Sequence, residues 1–126
     1  MSSSDSNAII FNGAGRPLEE TNFPLTKNLG EHEILVEISL STVCGSDLHT
    51  WQGHRPFPTP CILGHEMVGK IIELGNDIKN DYNGEKLVNG DRIVWSMTVS
   101  CNNCFFCNSN LPQKCTQLFK YGHEKS

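Results

Sequence analysis

No stretch of this 126-residue chain approaches the 18 or so consecutive apolar residues that a membrane-crossing helix needs, so no transmembrane span is expected. Positive charge is also thin. Ten Lys and Arg stand against 14 Asp and Glu, the formal net charge is −4, and no basic cluster is there to follow a phosphate backbone. Nucleic acid is therefore not an expected partner. The opening MSSSDSN is polar and lacks the apolar heart of a secretory leader, which makes residues 1–7 an expected flexible terminus and the cytoplasm the expected compartment. In that compartment six cysteines read as thiols or metal ligands rather than as a disulfide framework. A glycine-rich dinucleotide fingerprint is lacking as well: Gly13 to Gly15 is only GAG in an early turn, and no strand leads into GxGxxG. Hydrophobic residues make up 37% of the chain, few enough that a single domain with a modest core gains from a metal cross-link.

What is present in quantity is sulfur within a short span. From Cys101 to Cys115 the sequence reads CNNCFFCNSNLPQKC, with three cysteines at intervals of three and a fourth eight positions on. The turn formers Asn102, Asn103, Asn108, Ser109, Asn110 and Pro112 lie between them. Four thiolates around a tetrahedral zinc ion complete a closed structural site, and such a site contributes folding energy to a segment poor in apolar residues. Cys101, Cys104, Cys107 and Cys115 are the expected ligands, in a lobe over residues 101–115. Two other readings of these thiols stand beside it. One is a disulfide lobe, for which neighbours three apart leave little room for relaxed geometry; the other is an iron–sulfur centre.

The remainder reads as short strands. Ala8 to Phe11 is an apolar run ended by Asn12, Gly13 and Gly15, and Leu18 to Phe23 is a second run before Pro24. From Glu33 to Val43 the period is two: Ile34, Val36, Ile38 and Leu40 share one face, and Glu37, Ser39 and Ser41 the other, which predicts a half-buried strand. Gly45 to Trp51 suits a helical turn, whereas the following GHRPFPTP is too rich in proline for a helix or a central strand. Met67 to Leu74 is a strand with Val68, Lys70, Ile72 and Leu74 on one side, and Gly69 allows close backbone approach. Asp77 to Gly90 is a polar surface hairpin or loop, and Arg92 to Val99 alternates as a strand that feeds the cysteine lobe. Many short strands punctuated by Gly and Pro, with few helices, predict a mainly β fold in the form of a small, partly open barrel.

A second group of chemistry-bearing residues flanks the proline-rich loop. Cys44 closes the long alternating strand while His65 and Glu66 follow the loop, so a thiolate, an imidazole and a carboxylate can meet although Cys44 and His65 are 21 positions apart. Cys with His is a catalytic zinc pair once a third ligand and a water complete the shell. The plainer readings are a cysteine serving as a small hydrophobe and a His–Glu pair on the surface. His65 is not part of HExxH, because Gly69 stands where the second histidine would be. Cys61 is left over as a buried or reactive free thiol.

Together, Cys44-Gly45-Ser46-Asp47-Leu48-His49, the stretch GHEMVGKIIELGNDI from Gly64 to Ile78, the Gly90-Asp91-Arg92 turn and the four-cysteine lobe carry a resemblance. The chain resembles the N-terminal half or more of the catalytic domain of zinc-dependent medium-chain alcohol dehydrogenases, whose fold is similar to that of the GroES co-chaperonin. This resemblance implies a GroES-like catalytic domain over residues 8–126, incomplete at its C-terminus, in which Cys44 and His65 bind a catalytic zinc and a third ligand lies downstream. It places Glu66 near the metal, exchanging with water or ligand, and gives Asp47 the task of orienting His65, as a ligating imidazole requires. Ser46 is implied to bind the alcohol proton and His49 to receive it through the cofactor ribose; a turn-capping serine and a surface histidine are the plainer assignments. The implied parent is an oxidoreductase, expected to be a homo-oligomer, that moves hydride between an alcohol or carbonyl substrate and NAD or NADP. The loop around Trp51, His54 and Phe57 is either a substrate wall or a cover for the barrel end. With the nucleotide-binding domain missing, the chain alone is expected to be inactive. Two alternatives remain: a non-catalytic, zinc-stabilised binding or structural module, and a reductase or polyol dehydrogenase of the same fold.

Overall fold

The alternating segments become seven short strands in a computed structural model that describes residues 5–25 and 28–121. β1 (Asp5–Ile10) pairs with β2 (Glu19–Pro24); β3 (Ile34–Thr42), β4 (Glu66–Leu74) and β5 (Arg92–Val94) form a three-stranded sheet in that order; β6 (Thr98–Val99) pairs with β7 (Phe119–Lys120). Two short helices, α1 (Gly45–Trp51) and α2 (Phe105–Asn108), and a 3-10 turn at Pro112–Lys114 complete the order. The fold is mainly β, and its sheets do not close into a barrel. No helix among the described residues is long and apolar enough to cross a membrane.

The chain divides into two units. The first is built on Asn22–Ser41 and Met67–Trp95. Here β4 runs antiparallel to β5, with Val68 opposite Val94, Gly69 opposite Ile93 and Lys70 opposite Arg92. The packed side of β4 carries Gly69 and Ile71, the latter only 1% exposed, whereas Ile72 on the other side is left 45% exposed. Gly69 has no side chain because there is no room for one: a Cβ there would lie 2.2 Å from Val36 Cγ1 and 2.9 Å from the Glu37 carbonyl oxygen. On β3 the burial differs from expectation. Ile34, Leu35 and Val36 are half-buried, but Ile38 and Leu40 are exposed, since alternation tells which residues share a face and not whether anything covers it. The expected hairpin between Asp77 and Gly90 is observed. Asn80 and Lys86 bridge its arms, and Asp81 Oδ1 accepts from the backbone N–H of Asn83 and of Glu85 at 2.9 and 2.8 Å.

The second unit contains Asn7–Thr21, Thr42–Glu66 and the segment from Ser96 onward. Phe11 and Cys61, both buried, exchange a pair of backbone hydrogen bonds at 2.8 and 3.1 Å. Burial pushes the Cys61 thiol up, so of its two expected states the structure shows the buried one. Beyond one-residue shifts at the ends of β3 and the start of β4, the other boundaries are corrected as follows. β1 begins at Asp5 rather than Ala8, so residues 5–7 of the expected flexible terminus belong to a strand, while residues 1–4 lie outside the described residues. β2, over Glu19–Pro24, lies one residue later than expected at both ends. The strand expected from Arg92 to Val99 is two strands, interrupted at Trp95–Met97. At this break Ser96 Oγ accepts the Thr98 N–H at 3.1 Å, a local bond of the kind by which serine competes with a sheet ladder.

Gly69→Ala is expected to destabilise the chain by about 1–3 kcal/mol through overpacking, because one of the two clashing groups is a backbone carbonyl that no rotamer change relieves. Urea unfolding checks this, and Val36→Ala in the same chain should recover only part of the loss.

Candidate metal centres

The cysteine lobe is assembled by its own backbone. Asn102 and Asn110 adopt left-handed conformations, with φ of 56° and 60°, which asparagine tolerates better than most residues and which bend the chain around the sulfurs. Cys104 precedes the first turn of α2, and Cys115 follows the 3-10 turn. All four sulfurs lie within 4.8 Å of one another, with Cys104 and Cys107 at 3.5 Å and Cys101 and Cys107 at 3.9 Å. Tetrahedral zinc with bonds of about 2.3 Å sets sulfurs about 3.8 Å apart, so the tetrad has the size of a zinc shell. A disulfide does not fit these separations, and all six cysteines are free thiols.

Backbone donors prepare the tetrad for charge. The Cys101 and Gln117 N–H groups each donate to Cys115 Sγ at 3.3 Å, and the Cys104 N–H donates to Cys101 Sγ at 3.3 Å. The N–H groups of Cys107 and Thr116 bring the Cys104 thiol down to about 6, and those of Asn103 and Cys104 lower Cys101. Desolvation pushes Cys107 up to about 11, with the Cys104 and Cys115 sulfurs adding to the rise. Near neutral pH, then, the tetrad already carries a thiolate while holding protons that a cation displaces.

The second group forms where α1 starts. Cys44 Sγ is 3.2 Å from His65 Nε2, and these two atoms and a carboxylate oxygen of Glu66 all lie within 4.8 Å of one another. Behind them stands Asp47, buried at 5% exposure. Its Oδ2 accepts the Cys44 N–H at 3.0 Å and its Oδ1 faces His65 Nδ1 at 3.5 Å. One side chain thus holds the first turn of α1 and one edge of the imidazole, leaving the opposite ring nitrogen directed at the sulfur. The set is open on one side, since His65 is buried and Glu66 exposed, as a metal site that admits a further ligand has to be.

A family model for the alcohol dehydrogenase GroES-like domain matches residues 30–123. The chain belongs to this family. It is 31% identical over 116 residues to zinc-type alcohol dehydrogenase B of Aspergillus flavus, which takes in 91% of this chain and 25% of that relative. It is similar to an alcohol dehydrogenase structure from Thermotoga maritima with a TM-score of 0.83 at 38% identity, over 95% of this chain and 33% of the other. An Escherichia coli alcohol dehydrogenase solved with NADH is similar with a TM-score of 0.80 at 26% identity, over 98% of this chain and 34% of the other. The chain spans about a quarter to a third of the length of these relatives.

Within this GroES-like domain the other singled-out residues fall as follows. Ser46 Oγ is 2.8 Å from Cys44 Sγ, at the edge of the donor set. His49 is exposed on α1 and its ring is 5.9 Å, centroid to centroid, from that of His54. Trp51 is 48% exposed and Phe57 half-buried. Two residues of the site went unmarked in the sequence. Thr50, 2% exposed, donates its hydroxyl to the Ser46 carbonyl at 3.1 Å. Thr42 donates to Glu66 Oε2 at 2.6 Å. A signal for Thr42 was available: it stands two positions before Cys44 at the end of an alternating strand.

The thiol shifts in the lobe set its response to pH. At pH 7 the uptake of one zinc by the metal-free chain should release fewer than four protons, because Cys104 at about 6 is already mostly ionised. As pH falls through 6 that thiolate takes up a proton, so the number released should rise and the affinity should fall more steeply. Proton release measured in weak buffer checks this; four protons released at pH 7 would contradict it.

Proposed function

We propose that this chain is the metal-binding part of a zinc-dependent oxidoreductase that transfers hydride between an alcohol or carbonyl compound and NAD or NADP. The observation that carries this reading is the meeting of Cys44, His65 and Glu66 in front of the buried Asp47 carboxylate. Cys44 and His65 are the assigned ligands of a catalytic zinc, and Cys101, Cys104, Cys107 and Cys115 those of a structural one. A zinc ion in the first site supplies Lewis acidity toward a substrate oxygen, and a nicotinamide supplies the hydride carrier.

The chain's own residues then divide the remaining work. Asp47 fixes the tautomer of His65 by facing Nδ1, which keeps Nε2 available as a donor atom. Glu66 adds negative charge beside the pair. Ser46, with its hydroxyl against the Cys44 sulfur, is the group assigned to take a proton from a substrate hydroxyl, and exposed His49 on the same helix is assigned to pass it on to solvent. Trp51 and Phe57 provide apolar surface on the segment that follows. The nicotinamide is assigned to a domain outside these residues, for which the greater length of the relatives leaves room. Holding both reactants in register is worth about 7–11 kcal/mol in well-oriented systems, so the chain alone is not expected to transfer hydride.

Two assays test the reading. Zinc-loaded chain given NAD or NADP and a panel of primary and secondary alcohols should leave nicotinamide absorbance at background. In the longer protein, Cys44→Ser and His65→Ala should each lower kcat/KM by about a thousandfold, or ~4 kcal/mol. Saturable turnover by the chain alone would overturn the division of labour, and a longer enzyme indifferent to Cys44→Ser would overturn the site.

A further inference from the structure

Beside the Cys44 and His65 donors, the last residue of β3 touches the first residue of β4. The Thr42 hydroxyl donates to Glu66 Oε2 at 2.6 Å, across 24 positions of sequence. This distance lies at the short end of the range for O–H···O hydrogen bonds. Neighbouring strand order brings the pair together, so the contact is set by the sheet rather than by the loop between. Glu66 is exposed, and a glutamate in water is free to turn about three bonds. Thr42, by contrast, is β-branched and on a strand, where its χ1 is restricted and its hydroxyl direction largely decided by the backbone. The stiff residue therefore holds the loose one. While it does so, a Glu66 carboxylate oxygen stays within 4.8 Å of the Cys44 sulfur and a His65 ring nitrogen.

We infer that Thr42 is a positioning residue, whose hydroxyl pre-orients Glu66 as the third donor to a divalent cation held by Cys44 and His65. This rests on the reading of Cys44 and His65 as metal ligands. The hydroxyl engages Oε2, which leaves Oε1 the freer of the two oxygens to serve as the donor. Within this chain, such a donor would raise the number of protein ligands from two to three.

The test uses the chain with its cysteine lobe already saturated with zinc. Co2+ is then titrated in, and the sulfur-to-cobalt absorption that Cys44 supplies is followed, with Cys44→Ser as the blank. Thr42→Val keeps the shape and removes the donor; it should weaken the second equivalent of cobalt on the order of tenfold, the lower end of what outer partners of metal ligands contribute. Thr42→Ser should recover most of the loss. In a chain that already carries Glu66→Ala, Thr42→Val should have no further effect, because the two substitutions remove one interaction. A Val variant that titrates like the unaltered chain, or one that loses as much affinity with Glu66→Ala present, overturns the role of Thr42 alone. Failure of the unaltered chain to take up a second cobalt overturns the metal-ligand reading and this inference with it.

Discussion

A carboxylate as deeply buried as Asp47, at 5% exposure, has to be met by donors, since an uncompensated charge that far from water costs several kcal/mol. The Cys44 N–H donates to its Oδ2, and the His65 ring faces its Oδ1 at 3.5 Å. The start of α1, the place of the Cys44 sulfur and the orientation of the imidazole are consequently one problem with one solution. Thr50 tightens it from the next turn by bonding its hydroxyl to the Ser46 carbonyl. A helix of seven residues has little stability of its own; the Cys44 and Thr50 bonds are local to it, and the approach of Asp47 to His65 ties it to the start of β4.

The two cysteine-containing groups solve opposite problems. In the lobe all four sulfurs come from 15 residues, and the chain folds them inward by two left-handed asparagines and a set of N–H donors. Its geometry is local, closed and tuned toward anionic sulfur. The Cys44 group instead gathers donors from either side of a long loop, depends on strand pairing, and stays open. Closed coordination suits a clamp, and open coordination suits a place where a ligand comes and goes.

The lobe was legible because ligand spacing is a property of sequence: Cys101, Cys104, Cys107 and Cys115 can be recognised before any fold is known. Gly69 was legible for a similar reason, a glycine inside an alternating strand having few explanations other than close approach. Cys44 and His65 were legible only as a pair, and their meeting follows from the resemblance more than from the 21 positions between them. What could not be read were matters of competition. The expected strand breaks at Trp95–Met97, where the Thr98 N–H also bonds the Ser96 side chain, and an alternating pattern does not show this. Ile38 and Leu40 alternate like core residues and are exposed, because burial depends on a second layer that the strand itself does not specify. Thr42 was marked only by its place two positions before Cys44; a threonine at a strand end is ordinary until the carboxylate beside it is known.

The hairpin that bridges Asn80 and Lys86 is held almost wholly from within. Asp81 gathers the N–H groups of Asn83, Glu85 and, through its carbonyl, Gly84, and Tyr82 at the tip is fully exposed. None of these bonds reaches either cysteine-containing group. The tip is therefore a natural point of attachment: an epitope, a dye-bearing peptide or a surface tether inserted beside Tyr82 would lengthen a loop whose closure cost rises by only about 0.6 kcal/mol per doubling. Such an insertion would alter no residue of either cysteine-containing group.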